Sequence, residues 1–252
     1  MSPTPAPVTE TISSGHSVVW SRPPAERAGT DLVLVFHGYG SNEVRAARRH
    51  FPMLPERCTG LAVRGGFEID ETASEGPGDP GAHGWFLLDL LLQSDFAQVL
   101  AAAHRVFDVL SAEEVVAAGF RTVSVLGFSQ GMAMATTVLR LRPEAFTCGV
   151  GLSGFAVDNE LLAMLDSPAE GPGPRPFFWG RDAEDPVIHP DAVAHTRAWA
   201  EEHTRLTVRT YPGILHGTGP DEVRDVRIFL EHSLRAATPG SCCLLYTSPS
   251  PR

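Results

Sequence analysis

The five residues Gly127-Phe128-Ser129-Gln130-Gly131 constrain this chain more than any other feature. An apolar run, Val123-Ser124-Val125-Leu126, leads into them, and the helix-prone stretch Met132 to Arg140 follows. That context is strand, sharp turn, helix. A Gly-x-Ser-x-Gly placed there turns so tightly that glycine is required on either side, and the serine hydroxyl is held at the tip. In an ordinary glycine-rich loop the same spacing would mean nothing; the flanking strand and helix give it content.

The remaining pattern predicts an α/β domain with a mostly parallel central sheet and helices on both faces. Leu32-Val33-Leu34-Val35-Phe36 is a continuous apolar run, as expected of a strand covered on both sides. Ser41 or Asn42 can cap a helix to about His50, and Thr59–Val63 reads as a second strand. Residues 64–83 read as a polar Gly/Pro-rich loop, closed by Gly84-Trp85-Phe86. Ser94 or Asp95 opens a long helix with Phe96, Val99, Leu100, Ala103, Phe107 and Leu110 at helical spacing. Ser111-Ala112-Glu113-Glu114 reads as a capping box, and Gly119 as a helix stop. Strands are expected over 122–126, 147–152, 176–179 and 206–211, a surface loop over 166–174, and a closing amphipathic helix over 221–234.

One domain over 16–237 is expected, after a flexible leader over 1–15 whose Pro, Ser and Thr content lacks the basic start and apolar core of a signal peptide. Residues 238–252 are expected to be a disordered tail. Within it, Cys243 to Arg252 reads as the translation of a transposon-end sequencing adapter, so 242–252 is set aside from fold reasoning.

Charge narrows the partners. The formal net charge of −10 argues against nucleic acid, which needs a basic face, and against strongly anionic surfaces. All 20 positions counted as Lys or Arg are Arg. No apolar run approaches the roughly 18 residues of a membrane span, so no stable membrane insertion is expected. Four cysteines make no disulfide framework in 252 residues, which points to a reducing, cytoplasmic setting.

A serine hydroxyl needs a neighbouring base to take its proton, and the base needs an acid to fix its tautomer. After this elbow the expected order is acid, then histidine. The strand ending at Trp179-Gly180 is followed by Arg181-Asp182-Ala183-Glu184-Asp185, and the strand ending at Tyr211 by a loop that carries His216. Both loops leave the edge of the sheet that carries the elbow. His216 is the expected base. Asp185 is the favoured acid, with Asp182 and Glu184 as alternatives on the same loop. His189 lies near the acid but before Pro190 at the start of a helix, and His195 and His203 belong to that helix, where solvent-facing or packing roles are the default. Oxyanion donors are expected from the amide of Gln130 and, across His37-Gly38-Tyr39-Gly40, from that of Tyr39. Trp85, Phe86, Phe128 and Met132 are candidates for a mildly apolar acyl pocket, beside Tyr39. No metal-ligand spacing and no nucleotide-binding glycine loop is seen, so neither metal nor cofactor is expected.

From about Leu32 to Leu234 the chain resembles the phospholipase/carboxylesterase family of α/β-hydrolases, which includes bacterial carboxylesterases and acyl-protein thioesterases. The landmarks are Phe36-His37-Gly38-Tyr39-Gly40, Gly84-Trp85-Phe86, Gly127-Phe128-Ser129-Gln130-Gly131, Leu152-Ser153-Gly154, Asp185-Pro186-Val187-Ile188 and His216. Leu215 departs from the pattern, standing where a glycine often precedes the histidine. The resemblance implies an α/β-hydrolase fold with little or no cap domain, often dimeric, and a serine carboxylesterase acting on small-molecule esters. Short- to medium-chain esters are expected; thioesterase or lysophospholipase activity is the alternative. A non-catalytic binding protein would be expected to have lost part of the triad. A dienelactone-type hydrolase typically carries Cys where Ser129 stands.

Overall fold

Alternate residues of one strand feed two separate cores. Leu32, Leu34 and Phe36 join one buried cluster, Val33 and Val35 the other. Because side chains alternate along a strand, such a strand must be covered on both faces. The computed structural model describes residues 8–76, 78–88, 95–166 and 173–236. The strands are β1 (Val8–Thr11), β2 (Ser17–Trp20), β3 (Asp31–Phe36), β4 (Cys58–Val63), β5 (Phe67–Asp70), β6 (Ala82–Gly84), β7 (Thr122–Phe128), β8 (Gly149–Leu152), β9 (Arg175–Arg181) and β10 (Thr204–Thr210). The helices are α1 (Glu43–His50), α2 (Phe96–Leu110), α3 (Glu113–Ala118), α4 (Gln130–Leu141), α5 (Glu160–Ala163), α6 (Pro190–His203) and α7 (Pro220–Ala236).

Eight strands form one sheet in the order β1-β2-β4-β3-β7-β8-β9-β10. Neighbours from β4 to β10 pair in parallel, and β1 and β2 run antiparallel at one edge. Residues of α2, α3 and α4 pack in the cluster with Leu32 and Phe36, where Phe177 meets Trp199 of α6 edge-on. Residues of α1 and α7 pack in the other cluster. The expected α/β-hydrolase arrangement is therefore present, with helices on both faces of a mostly parallel sheet. Among the described residues no helix is long and apolar enough to cross a membrane.

Three local expectations are corrected. Part of the expected leader is a strand: β1 pairs with β2 from Val8 opposite Trp20 to Thr11 opposite Ser17. Ser13, just beyond it, does the capping expected of Ser111. Its Oγ accepts from the Glu113 amide at 2.9 Å, and the Glu114 carboxylate accepts from the Ser13 amide and hydroxyl at 2.9 and 2.8 Å. Ala112 stands at the N-cap of α3, so the cap comes from a segment distant in sequence. The loop expected over 64–83 contains a hairpin, with β5 antiparallel to β6. β5 is almost wholly exposed but alternates apolar and polar over Phe67-Glu68-Ile69-Asp70, a four-residue strand signal that the loop expectation over 64–83 passes over. Ser94, residues 167–172 of the expected surface loop, and the tail over 238–252 lie outside the described residues.

Candidate active site

The elbow is shaped by close backbone approach. A Cβ on Gly127 would collide with the carbonyl of Gly131, and one on Gly131 with the carbonyl of Phe36. Neither glycine has a positive φ, so lack of room and not conformational freedom excludes a side chain there. Ser129 itself takes the strain, with φ 54° and ψ −120°. Its amide donates to Leu152 O at 2.9 Å, and its carbonyl accepts from the Met132 amide at 2.9 Å. The hydroxyl thus stands at the carboxyl edge of β7, at the start of α4.

His216 arrives from the loop after β10. Its Nε2 lies 3.0 Å from Ser129 Oγ, and its Nδ1 lies 2.9 and 3.1 Å from the two carboxylate oxygens of Asp185. The Asp185 side chain is fully buried and its Oδ1 also accepts from the Val187 amide at 2.8 Å. With Asp185 ionised, Nδ1 carries the proton and Nε2 is free to accept from the serine.

Asp182, the first alternative acid, sits one step further back. It too is buried, but its oxygens accept from the amides of Glu184 at 3.0 Å and Leu215 at 2.9 Å. Those backbone hydrogen bonds hold its carboxyl below the usual range. It ties the acid loop to the histidine loop at Leu215, whose φ of 50° is the left-handed value that a glycine would adopt freely. Glu184 is exposed. His189 caps α6 through the Asp191 amide, and His195 and His203 lie beside Asp158 and Asp166.

Of the two expected oxyanion donors, one follows the serine directly and the other adjoins a glycine packed against it. Gln130 is the first residue of α4, so its amide is one of the four that have no acceptor within the helix. Gly38 comes close to the elbow: a Cβ there would stand 3.2 Å from Ser129 Cβ. The next amides are committed, Gly40 to His83 O at 2.9 Å and Ser41 to Gly38 O at 3.2 Å. The Tyr39 amide has no acceptor among the described residues.

Sequence reasoning missed what the Gln130 side chain does. Its Oε1 accepts from the Trp85 amide at 3.0 Å, and its Nε2 donates to Phe86 O at 2.7 Å. Trp85 Nε1 donates to His37 O at 2.9 Å. His37 Nε2 accepts from the Gly65 amide at 2.9 Å, which leaves Nδ1 to donate to Gly38 O at 2.8 Å. Burial pushes this imidazole down to about 4, so it is a neutral strut. The network pins the loop after β3 to the elbow. The glutamine directly after the serine was the available signal.

Of the residues expected to line an acyl pocket, Trp85, Phe86 and Met132 are instead core, each less than 5% exposed. The Met132 side chain fills the space above Gly151 and Gly154, where a Cβ would collide with it. A cleft of about 430 Å³ opens on Ser129 and His216, beside Tyr39 and Phe128. α1 also lines it, with Arg45, Arg48, Arg49 and His50. Among the described residues, no group of three or more His, Cys, Asp or Glu is placed to hold a metal ion.

Comparison with known proteins gives a family match over residues 23–234, to the model described as Phospholipase/Carboxylesterase. Acyl-protein thioesterase 1 of Candida albicans is 33% identical over 112 residues, which cover 42% of this chain and 47% of that protein. The namesake from Debaryomyces hansenii is 28% identical over 111 residues, so the chain matches about half the length of these two relatives. Acyl-protein thioesterase 1 of Gibberella zeae is 22% identical over 241 residues, covering 84% of this chain and 94% of that protein. Among solved structures, the carboxylesterase from Mesorhizobium loti superposes with TM-score 0.71 at 17% identity, over 89% of this chain and 98% of that one. The Bacillus cereus carboxylesterase gives 0.65 at 14%, over 88% and 96%. These two share the fold.

Proposed function

We propose that this chain, which belongs to the phospholipase/carboxylesterase family, hydrolyses small carboxylic esters through Ser129, His216 and Asp185. The observation that carries the reading is the unbroken run of contacts from Ser129 Oγ through His216 to the buried Asp185 carboxylate.

Ser129 Oγ attacks the ester carbonyl carbon while His216 Nε2 takes the hydroxyl proton. Negative charge gathers on the carbonyl oxygen, where the amides of Tyr39 and Gln130 receive it. The carbon–oxygen bond to the alcohol then breaks, and the departing oxygen takes the proton back from Nε2. Water attacks the acyl-serine, its proton passes to Nε2, and the acid leaves as Ser129 recovers its hydrogen. Throughout, Asp185 holds Nδ1–H and stabilises the imidazolium. The cleft suits a compact acyl group, and the core position of Trp85 and Phe86 removes two large apolar walls from it. Cys58 and Cys148 are buried free thiols pushed up to about 12 and about 11 by burial, which assigns them no chemistry.

The test is hydrolysis of p-nitrophenyl acetate through octanoate by wild type and Ser129→Ala. Loss of the nucleophile is expected to lower turnover roughly a millionfold. Unchanged activity in Ser129→Ala, or a wild type inert to every ester, would overturn the reading. The names of the fungal relatives favour a second reading in which the leaving group is a thiol. Faster turnover of octanoyl thioesters than of matched oxoesters would select it.

A further inference from the structure

The wall of the cleft formed by α1 is cationic although the chain as a whole is acidic. Arg45, Arg48 and Arg49 lie three and four residues apart and so share one helix face. They are not equivalent. Arg45 is committed, with Nε 2.8 Å from Asp79 Oδ2 and 3.5 Å from Glu75 Oε1. Arg48 reaches Glu75 only at 4.0 Å, between two exposed side chains, a contact worth little. Arg49 has no carboxylate partner among the described residues. Its guanidinium carbon lies 5.8 Å from the ring centre of Phe128, and that ring lies 5.1 Å from the His216 ring. One aromatic ring therefore separates an unpaired cation from the base.

Among the described residues nothing else in the cleft cancels that charge. His50 is buried and neutral, pushed down to about 3 by burial and by Arg49. Glu75 is the one carboxylate among the lining residues, and Arg45 already holds it. The net charge of −10 acts weakly here, since charges beyond about 8 Å are screened at physiological ionic strength. A global excess of acid thus coexists with local selection for an anion.

Resting on the hydrolase reading above, we propose that Arg49, with Arg48 beside it, selects esters that carry an anionic group a few bonds from the scissile carbonyl. A guanidinium matches carboxylate and phosphate oxygens alike through paired N–H donors. Phe128 beneath Arg49 holds the cation over the cleft mouth, and an unpaired arginine gives up no existing ion pair when substrate binds.

The experiment compares kcat/KM for matched anionic and neutral esters. The acyl arm sets mono-p-nitrophenyl glutarate and the p-nitrophenyl ester of 4-phosphonobutyrate against p-nitrophenyl butyrate. The leaving-group arm sets 4-carboxyphenyl butyrate against phenyl butyrate. Wild type is expected to favour the anionic member in at least one arm, and the carboxylate and phosphonate results say which anion it prefers. In Arg49→Gln the anionic-to-neutral ratio should fall about tenfold to a hundredfold, mostly through KM. Arg49→Lys should recover part of it. Should Arg49→Gln fail to fold, the wild-type ratio must still drop as NaCl rises from about 20 mM to about 500 mM. Neutral preference in both arms, or an anionic preference untouched by Arg49→Gln and by salt, overturns the proposal. Turnover of no ester at all removes the hydrolase reading, and this inference with it.

Discussion

Ser129 and His216 meet at 3.0 Å, yet the segments that carry them are held by opposite means. Each contains a non-glycine residue in the left-handed region, Ser129 at φ 54° and Leu215 at φ 50°. The elbow keeps its strain because there is no room for anything else: Gly127 and Gly131 press directly on neighbouring backbone. The histidine loop has room. Leu215 is half exposed, and the loop is held by the Asp182 carboxylate accepting its amide. One segment is fixed by what its sequence lacks, the other by what a distant side chain accepts.

The largest expected effect on stability lies on the elbow. Gly131→Ala forces a Cβ into the Phe36 carbonyl, and the loss should exceed about 4 kcal/mol, the range of severe overpacking in a rigid core. Urea unfolding measures it; a normally stable Gly131→Ala would show that the elbow is looser than described.

Asp185→Asn and Asp182→Asn separate the two acids. The first should lower kcat about ten-thousandfold, because the imidazole loses the partner that fixes its tautomer. The second should cost about tenfold to a hundredfold, through a displaced His216. Steady-state rates on p-nitrophenyl butyrate decide the order, and a reversed order would make Asp182 the acid. The pH sign for Asp182 follows from its depressed carboxyl. Its folded value lies below the unfolded one, so its hold on the loop is complete above the ordinary carboxylate range and is lost only as pH falls through the folded value.

Glu222, in the first turn of α7, sits against Gly180 at the foot of the acid loop. Burial pushes its carboxyl up to about 7, only partly offset by the nearby Gly219 amide, and neither oxygen makes a well-formed hydrogen bond among the described residues. A raised carboxyl is protonated in the fold, so stability falls as pH climbs above the unfolded value and levels off above about 7. Glu222→Gln should therefore be more stable than wild type by on the order of 2 kcal/mol near pH 8. Thermal melts from acid to mild alkali read this directly, and parallel curves for the two proteins would contradict it.

The smallest effect is expected at Leu215. Replacement by glycine relieves about 1–2 kcal/mol of left-handed strain but loosens the unfolded chain by a comparable amount, so stability should change by less than about 1 kcal/mol. A large loss would mean that the Leu215 side chain, and not Asp182, holds the loop.

The contrast also explains what was legible in the sequence. The elbow could be read because its strand, glycines and helix occupy one contiguous stretch and the chemistry is local. The parallel sheet could be read because β3 and β7 are apolar on both faces. The choice between Asp182 and Asp185 stayed open because both carboxylates are buried on one loop, three residues apart, and only the path of the next loop distinguishes them. Trp85 and Phe86 looked like pocket because aromatic residues beside a glycine suit pocket and core equally; the Gln130 side chain pulls them into the core. β1 escaped because it is a short edge strand in a Pro/Ser/Thr-rich segment. Arg49 could not be singled out from 20 arginines, since its meaning lies in having no carboxylate partner among the described residues and in the ring of Phe128 beneath it.

The most direct measurement is labelling by a fluorophosphonate, with the modified peptide identified by mass spectrometry in wild type, Asp182→Asn and Asp185→Asn. One adduct is expected, on Ser129, formed fastest in wild type, more slowly in Asp182→Asn and slowest in Asp185→Asn. An adduct on another residue, or an Asp185→Asn protein that labels as fast as wild type, would contradict it.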